Sequence, residues 1–236
     1  MNRQSLFAAS LPENRLLAEF SLWSADLVKI SDDISRVDAH VDIYHVDVSD
    51  GHFSPALLLF PDLIAQIRPL TQKPLHVHLM VDDCILLQQI EQFASVGADI
   101  ISIHAENSRL EEGLARIKSL GCAAGIVLQL HTEVIAVEPF LEHLAILTLL
   151  GTKMGIKGAD LDSQAEYRMQ QARKMIDGVS KGRSILLAAD GGIRDQTVPI
   201  LRRSGADTVV MGSLAFGADD LASRMLWVHG LLGPGA

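Results

Sequence analysis

Three apolar segments of the chain carry histidine and aspartate where a buried β-strand would otherwise hold only hydrophobic side chains. His45 and Asp47 are two residues apart in one segment, His76 and His78 are two apart in the next, and Asp190 closes a later one. Residues i and i+2 of a strand point to the same side. Ionisable groups in an apolar strand cost free energy unless they are paired or bind a metal. Imidazoles and carboxylates together suit a divalent ion such as Zn²⁺, Mn²⁺, Fe²⁺ or Co²⁺, so these segments predict a metal site.

The spacing of these residues alone leaves their role open. A histidine and an aspartate two residues apart are a common pair, and a hydrogen-bonded structural histidine is the alternative interpretation for each imidazole taken singly. His104, which closes a fourth apolar segment, is equally open, because it reaches the same site, supports one of the site residues from behind, or only packs nearby.

Two glycine-containing turns in the last third of the chain predict a phosphate site. Asp190-Gly191-Gly192 and Gly212-Ser213 each follow a predicted strand and precede a predicted helix. Glycine lets a ligand approach the backbone closely, and a helix N-terminus offers free N–H groups. Either turn alone could be no more than a turn. Together, after the seventh and eighth strands, they match the usual phosphate site of an α/β barrel.

These segments belong to a repeating pattern of a short apolar run followed by an amphipathic stretch. Runs that are apolar throughout are typical of parallel strands covered on both faces. The runs are Glu19–Trp23, Ile43–Val48, Leu75–Met80, Ile100–Ile103, Ala124–Leu128, Ala145–Leu150, Ile185–Ala189 and Thr208–Met211. Eight such units in 236 residues predict a single α/β domain, a (β/α)8 TIM barrel, with an open six- or seven-stranded sheet as the alternative.

Composition and charge exclude several classes of protein. With 48% hydrophobic and 21% charged residues, the chain is typical of a folded globular protein and not of a disordered one. A net charge of −9 argues against non-specific nucleic-acid binding, which needs clustered Lys and Arg. No apolar run approaches the roughly 20 residues of a membrane span. The N-terminus lacks the apolar core of a signal peptide, so we expect a soluble, cytoplasmic protein without membrane or nucleic-acid partners.

Four strings, in this order, resemble the ribulose-phosphate 3-epimerase family. They are SLWSAD at Ser21–Asp26, HVDVSDGHF at His45–Phe53, VHLM at Val77–Met80 and DGGI at Asp190–Ile193. The resemblance extends from about Leu17 onward, so residues 1–15 are predicted to be an N-terminal extension and residues 16–236 one barrel. It implies a barrel of the ribulose-phosphate-binding type, a phosphorylated ketose as substrate and a homo-oligomer, either a dimer or a hexamer.

The resemblance also implies a role for individual residues. His45, Asp47, His78 and Asp190 match the ligands of one divalent metal ion, and Asp47 and Asp190 also match the acid–base pair. Such an enzyme inverts C3, converting D-ribulose 5-phosphate to D-xylulose 5-phosphate through a metal-stabilised enediolate. The residues that match substrate and phosphate contacts are Ser21, His78, Gly155, Ile156, Lys157, Gly158, Gly191, Gly192, Gly212 and Ser213.

Several positions depart from the family pattern, and they leave the substrate open. Gly155–Gly158 stands where the family has a glycine-rich loop that contains an aromatic residue, and Ile156 takes the place of that aromatic residue. Lys157 is either an added phosphate contact or a solvated surface lysine. Ser49 stands where the family has methionine, and His76 where an acid is common. The alternatives are therefore a hexulose 6-phosphate or other sugar phosphate as substrate, decarboxylase or aldolase chemistry through a similar enediolate, and a non-catalytic sugar-phosphate binder.

Overall fold

The computed structural model describes residues 11–12, 15–179 and 185–234. Within them, eight parallel strands pair in chain order and close into a barrel, as the sequence predicted. The strands are β1 Leu17–Ser21, β2 Ile43–Ser49, β3 Leu75–Met80, β4 Ile100–His104, β5 Ala123–Leu128, β6 Ile146–Leu150, β7 Leu186–Asp190 and β8 Thr208–Met211. Apart from the two end residues of β7, every strand residue is buried, which explains why the apolar runs show no alternation.

The first strand lies two residues earlier than the predicted Glu19–Trp23. Backbone pairing sets the boundary: β1 pairs with β8 from Leu17, opposite Thr208, to Phe20, opposite Met211. Beyond Ser21 the chain turns into a 3-10 helix over Leu22–Ser24. Trp23 therefore lies in this short helix at the C-terminal mouth of the barrel and not in a strand.

Helices connect the strands on the outside of the barrel. Within the described residues, the α-helices are α1 Ile30–Val37, α2 Pro61–Ile67, α3 Leu86–Ser95, α4 Leu110–Ser119, α5 Ala165–Val179, α6 Val198–Arg203, α7 Ser213–Phe216 and α8 Leu221–His229. The connection between β5 and β6 is instead a 3-10 helix over Val134–His143, which contains Pro139. No helix among the described residues is long and apolar enough to cross a membrane.

The predicted N-terminal extension is described only in part, because residues 1–10 and 13–14 lie outside the described residues. Arg15, at its end, makes two hydrogen bonds of 2.8 and 2.6 Å to the carboxylate of Asp42, which precedes β2. The chain is thus anchored to the barrel one residue before the predicted domain start. The boundary between residues 15 and 16 stays a prediction.

Candidate active site

The four predicted metal ligands converge at the C-terminal end of the barrel. His45 and Asp47 come from β2, His78 from β3 and Asp190 from the end of β7. The parallel register places Asp47 directly beside His78. One nitrogen or oxygen atom from each of the four residues lies within 4.8 Å of the corresponding atoms of the other three. The strands thus bring together two imidazoles and two carboxylates that are far apart in sequence.

The distances between the imidazole nitrogens and the carboxylate oxygens suit a shared metal ion better than direct hydrogen bonds. Nε2 of His45 lies 3.4 Å from Asp47 Oδ1 and 3.8 Å from Asp190 Oδ2. Nδ1 of His78 lies 3.7 Å from the same Asp47 oxygen and 3.6 Å from the same Asp190 oxygen. Both nitrogens are buried and have no hydrogen-bond partner among the described residues. Two orphaned imidazole nitrogens facing two shared carboxylate oxygens are a donor set that a first-row divalent ion accepts.

The far nitrogen of each imidazole has a buried partner. Nδ1 of His45 lies 3.0 Å from Oε2 of Glu19, on β1. Nε2 of His78 lies 2.9 Å from Nε2 of His104, whose Nδ1 lies 3.0 Å from Oε2 of Glu106. Such outer partners fix which nitrogen of a histidine faces the metal. His104 is therefore not packing alone, since it orients His78.

Burial and neighbouring charges shift the pKa values of Asp47 and Asp190 in opposite directions. Burial alone would raise the pKa of Asp47, but the nearby imidazoles of His45 and His78 hold it well below its usual range. Burial raises the pKa of Asp190, and the nearby charge of Asp47 adds to the rise against the opposing effect of His45. Burial also lowers the pKa of His78 to about 4, although Asp47 opposes it. Asp190 thus binds a proton more readily than Asp47, a contrast suited to acid–base chemistry.

A cavity of about 310 Å³ opens above these residues. All ten residues predicted to contact substrate line it: Ser21, His78, Gly155, Ile156, Lys157, Gly158, Gly191, Gly192, Gly212 and Ser213. Asp47 and Asp190 line it as well, whereas the fully buried His45 lies beneath it. The Ser21 hydroxyl donates a 2.7 Å hydrogen bond to Oδ2 of Asp47, so Ser21 holds one of the two carboxylates in place.

The glycine turns form one wall of this cavity, but only one of them leads directly into a helix. Gly191 and Gly192 have φ of 88° and 70°, and a Cβ on Gly192 would lie 2.7 Å from Cα of Leu161. The next helix begins only at Val198, because the Thr197 side chain first closes a turn onto the Gly192 carbonyl, at 2.7 Å. The Asp190-Gly191-Gly192 turn therefore precedes a helix, as predicted, but does not form its N-terminus. Gly212 does precede a helix, the four-residue α7.

Lys157 spans the mouth of the cavity. Its Nζ donates a 2.5 Å hydrogen bond to the carbonyl of Trp23 and lies 4.6 Å from the centre of the Trp23 ring. Burial lowers its pKa, while the negative charge of Asp47 acts in the opposite direction. Lys157 itself is exposed, so both interpretations, an added phosphate contact and a surface lysine, stay open. The ammonium group contacts the loop after β1 and senses the charge inside the cavity.

Glu19 was not singled out in the sequence, although a signal for it exists. It is an acid inside an apolar run, two residues before Ser21 and therefore on the same side of β1. The rule that identified His45 and Asp47 thus applies to Glu19 as well. Trp23 had no such signal, because its position depends on where β1 ends.

A protein-family model described as the ribulose-phosphate 3 epimerase family matches residues 17–216. The ribulose-phosphate 3-epimerase of Bacillus subtilis (strain 168) is 32% identical over 212 residues, covering 89% of this chain and 96% of that protein. Ribulose-phosphate 3-epimerase 1 of Cupriavidus necator is 36% identical over 204 residues, covering 85% of this chain and 84% of that protein. The chloroplastic ribulose-5-phosphate-3-epimerase of Arabidopsis thaliana is 32% identical over 220 residues, covering 92% and 77%.

Solved structures that resemble this one are barrels of the same shape. The 3-hexulose-6-phosphate synthase of Salmonella typhimurium superposes with a TM-score of 0.67 at 20% identity, covering 90% of this chain and 96% of that one. The orotidine 5'-phosphate decarboxylase of Pyrococcus horikoshii OT3 superposes with a TM-score of 0.64 at 15% identity, covering 90% and 97%. At these identities the likeness shows the fold alone.

Proposed function

Because the chain belongs to the ribulose-phosphate 3-epimerase family and is an isomerase, we propose that it inverts C3 of a phosphorylated ketose, D-ribulose 5-phosphate first among them. The observation that carries this proposal is the pair of carboxylates, Asp47 and Asp190, which line one cavity from different strands. Inversion needs one group to remove a proton from one face of the carbon and another to return a proton to the opposite face. A decarboxylase or aldolase does not need two such groups.

Two carboxylates are enough for this inversion because the C3 hydrogen of a 2-ketose is already acidic. C3 of a 2-ketose lies next to the carbonyl, so its proton is removable once charge on the oxygen atoms is stabilised. One aspartate takes the C3 proton, the other delivers a proton from the far side, and the two exchange roles in the reverse direction. The hydrogen bond from Ser21 holds Asp47 toward the cavity while it acts. The different proton affinities of Asp47 and Asp190 let one be ionised while the other carries a proton.

The same proposal assigns a divalent metal ion, of Zn, Mn, Fe or Co type, to His45, Asp47, His78 and Asp190. A metal held there supplies Lewis-acid stabilisation of the negative charge that develops on the oxygen atoms at C2 and C3. Support comes from the two orphaned imidazole nitrogens and from the buried partners that orient them.

The phosphate is assigned to the cavity wall formed by the two glycine turns. Gly191, Gly192 and Gly212 line the cavity and have no side chain of their own, so a phosphate can approach their backbone closely. Positive φ at Gly191 and Gly192 is the kind of backbone conformation in which successive N–H groups form an anion site. Lys157, a point charge at the cavity mouth, adds an electrostatic contact to the phosphate. Gly155, Ile156 and Gly158 shape the same loop.

The loop that carries Lys157 is also the observation that favours a second candidate substrate. Ile156 and Lys157, which depart from the family pattern, line the same cavity and so change the surface that a substrate meets. A hexulose 6-phosphate is therefore the alternative substrate, and a binder without catalysis is the alternative to an enzyme. A homo-oligomer and a cytoplasmic location remain predictions.

A substrate panel tests the proposal. The protein is loaded separately with each of the four metals and incubated in D₂O with ribulose 5-phosphate, xylulose 5-phosphate and hexulose 6-phosphates, while NMR follows the C3 hydrogen. We expect exchange and epimerisation of ribulose 5-phosphate with at least one metal. Binding of every sugar phosphate without exchange would instead identify a binding protein, and exchange with hexulose phosphates alone would change the substrate.

A further inference from the structure

Glu19 is buried completely within β1 and is not among the residues that line the cavity. One of its carboxylate oxygens, Oε2, faces two imidazoles. Nδ1 of His45 lies 3.0 Å from it, and Nδ1 of His76 lies 2.7 Å from it. A charged group so deep in a barrel is costly unless hydrogen bonds or ion pairs hold it, and here two ring N–H groups do so.

The contact with Glu19 decides which nitrogen of His45 is available. A carboxylate only accepts hydrogen bonds, so Nδ1 of His45 carries the proton, and Nε2 is the nitrogen left to hold an ion. Nε2 is also the atom that lies 3.4 and 3.8 Å from the carboxylates of Asp47 and Asp190. The direction of the ring and the position of its proton therefore follow from a residue on the neighbouring strand.

Glu19 is itself held by a second contact. Nε2 of His76 lies 2.7 Å from the hydroxyl of Ser102 on β4, so both nitrogens of His76 are engaged and neither is left for an ion. The hydroxyl has room because residue 125 on β5 is glycine, and a Cβ there would collide with it. A line of contacts across four strands, from Ser102 through His76 and Glu19 to His45, thus lies beneath the cavity.

We propose that Glu19 is a positioning residue that acts through His45, fixing its proton on Nδ1 and its Nε2 toward the metal, and that His76 serves to hold Glu19. This inference rests on the proposed metal site and extends it to residues that touch neither substrate nor metal. His78 has its own line of partners, through His104 to Glu106, so the two imidazoles are oriented independently.

Metal affinity tests the inference without depending on activity. Co²⁺ is titrated into the metal-free protein, and its visible absorption gives both affinity and the number of ions bound. Loss of an outer partner of a metal-binding histidine typically weakens affinity about 10–100-fold. We expect that loss for Glu19→Ala and a smaller one for Glu19→Gln, whose amide oxygen still accepts a hydrogen bond. Thr148→Val, which removes a buried hydroxyl elsewhere in the barrel, is the matched control and leaves affinity unchanged.

A rescue variant separates positioning from a general loss of structure. His76 is the direct neighbour of His45 in the register of β2 and β3, so a carboxylate at position 76 reaches the same Nδ1. Glu19→Ala/His76→Asp is therefore expected to regain most of the affinity that Glu19→Ala loses. In Zn²⁺-loaded protein, the Nδ1 proton of His45 gives a slowly exchanging NMR signal in the wild type and the rescue variant, and that signal is lost in Glu19→Ala.

The outcomes distinguish this inference from the function on which it rests. Wild-type protein that binds no divalent ion contradicts the metal site, and the inference falls with it. Wild-type protein that binds one ion, with Glu19→Ala and Glu19→Gln equally tight, leaves the metal site standing and overturns the role of Glu19. If the wild type binds two ions and substitution of Glu19 removes one of them, Glu19, His45 and His76 are themselves a ligand set. That result also overturns the positioning role of Glu19.

Discussion

Asp47 and Asp190 present carboxylate oxygens within 4.8 Å of each other, although β8 and β1 separate their strands in the barrel. Like charges at this distance repel, so both carboxylates stay ionised together only if positive charge lies between or beside them. The divalent ion proposed there would supply that charge. In the proposed function, this pair is what distinguishes an epimerase from a barrel that only binds phosphate.

Replacing either aspartate is expected to separate hydrogen exchange from epimerisation. Asp47→Asn and Asp190→Asn each leave one carboxylate, which still exchanges the C3 hydrogen of one epimer while net conversion falls by about 10²–10⁴. NMR in D₂O, with each epimer supplied separately at saturating metal, measures both rates. Asp177→Asn, on the outer surface of α5, is the matched control with full activity. Equal exchange of both epimers by one variant would mean that a single group serves both faces.

Lys157 is expected to act on substrate binding and not on the chemical step. Lys157→Met removes the charge at the cavity mouth and should raise KM about tenfold with little change in kcat, because a charged hydrogen bond contributes about 1.5 kcal/mol or more. The difference between the variant and the wild type should shrink at 1 M salt, where charges are screened within roughly 3 Å. Lys174→Met, exposed on α5, should have no effect. A change confined to kcat would contradict the assignment.

The glycine turns allow a matched pair of substitutions. Gly192 and Gly121 both have positive φ, 70° and 79°, but a Cβ at 192 meets the backbone of Leu161, whereas a Cβ at 121 meets nothing within 4 Å. Gly121→Ala should therefore lose only the roughly 1–2 kcal/mol of left-handed strain. Gly192→Ala should lose more stability and also raise KM. Urea unfolding and steady-state kinetics measure the two effects, and equal stability losses with an unchanged KM would refute the phosphate assignment.

Glu106 gives the stability of the protein a pH dependence. Burial alone would raise its pKa, but hydrogen bonds from His104 and Thr132 lower it from 4.5 to about 2. A lowered pKa means that the folded state favours the ionised form, so this stabilisation is complete above pH 4.5 and disappears as the pH falls toward 2. Glu106→Gln should cost about 1 kcal/mol at pH 7 and progressively less between pH 4.5 and 3, as measured by urea unfolding of metal-free protein. A constant difference across this range would show that the charge of Glu106 contributes nothing.

The fold was predictable because its signals are local and repeated. Each strand is a short apolar run buried on both faces, and the eight-fold repeat favours a barrel over an open sheet, as the structure confirms. The end of β1 was not predictable, because it depends on where β8 stops pairing, which no property of residues 17–23 reveals. The exact start of the helix after Gly192 was not predictable for a similar reason, since it depends on a contact of the Thr197 side chain.

The site was predictable where a polar residue interrupts an apolar strand. His45, Asp47, His78 and Asp190 all stood out in this way, and the strands bring them together. Their roles came from the family resemblance and not from their spacing. The contact between Lys157 and Trp23 could not be predicted, because it joins two loops whose paths depend on the whole barrel.

The most direct test of the central claim is the fate of the C3 hydrogen of D-ribulose 5-phosphate in D₂O with the metal-loaded protein. The account predicts that deuterium replaces this hydrogen as D-xylulose 5-phosphate accumulates, and that a chelator stops both processes together. Retention of the C3 hydrogen with every metal and every ketose phosphate, by a protein that binds those ligands, would contradict it.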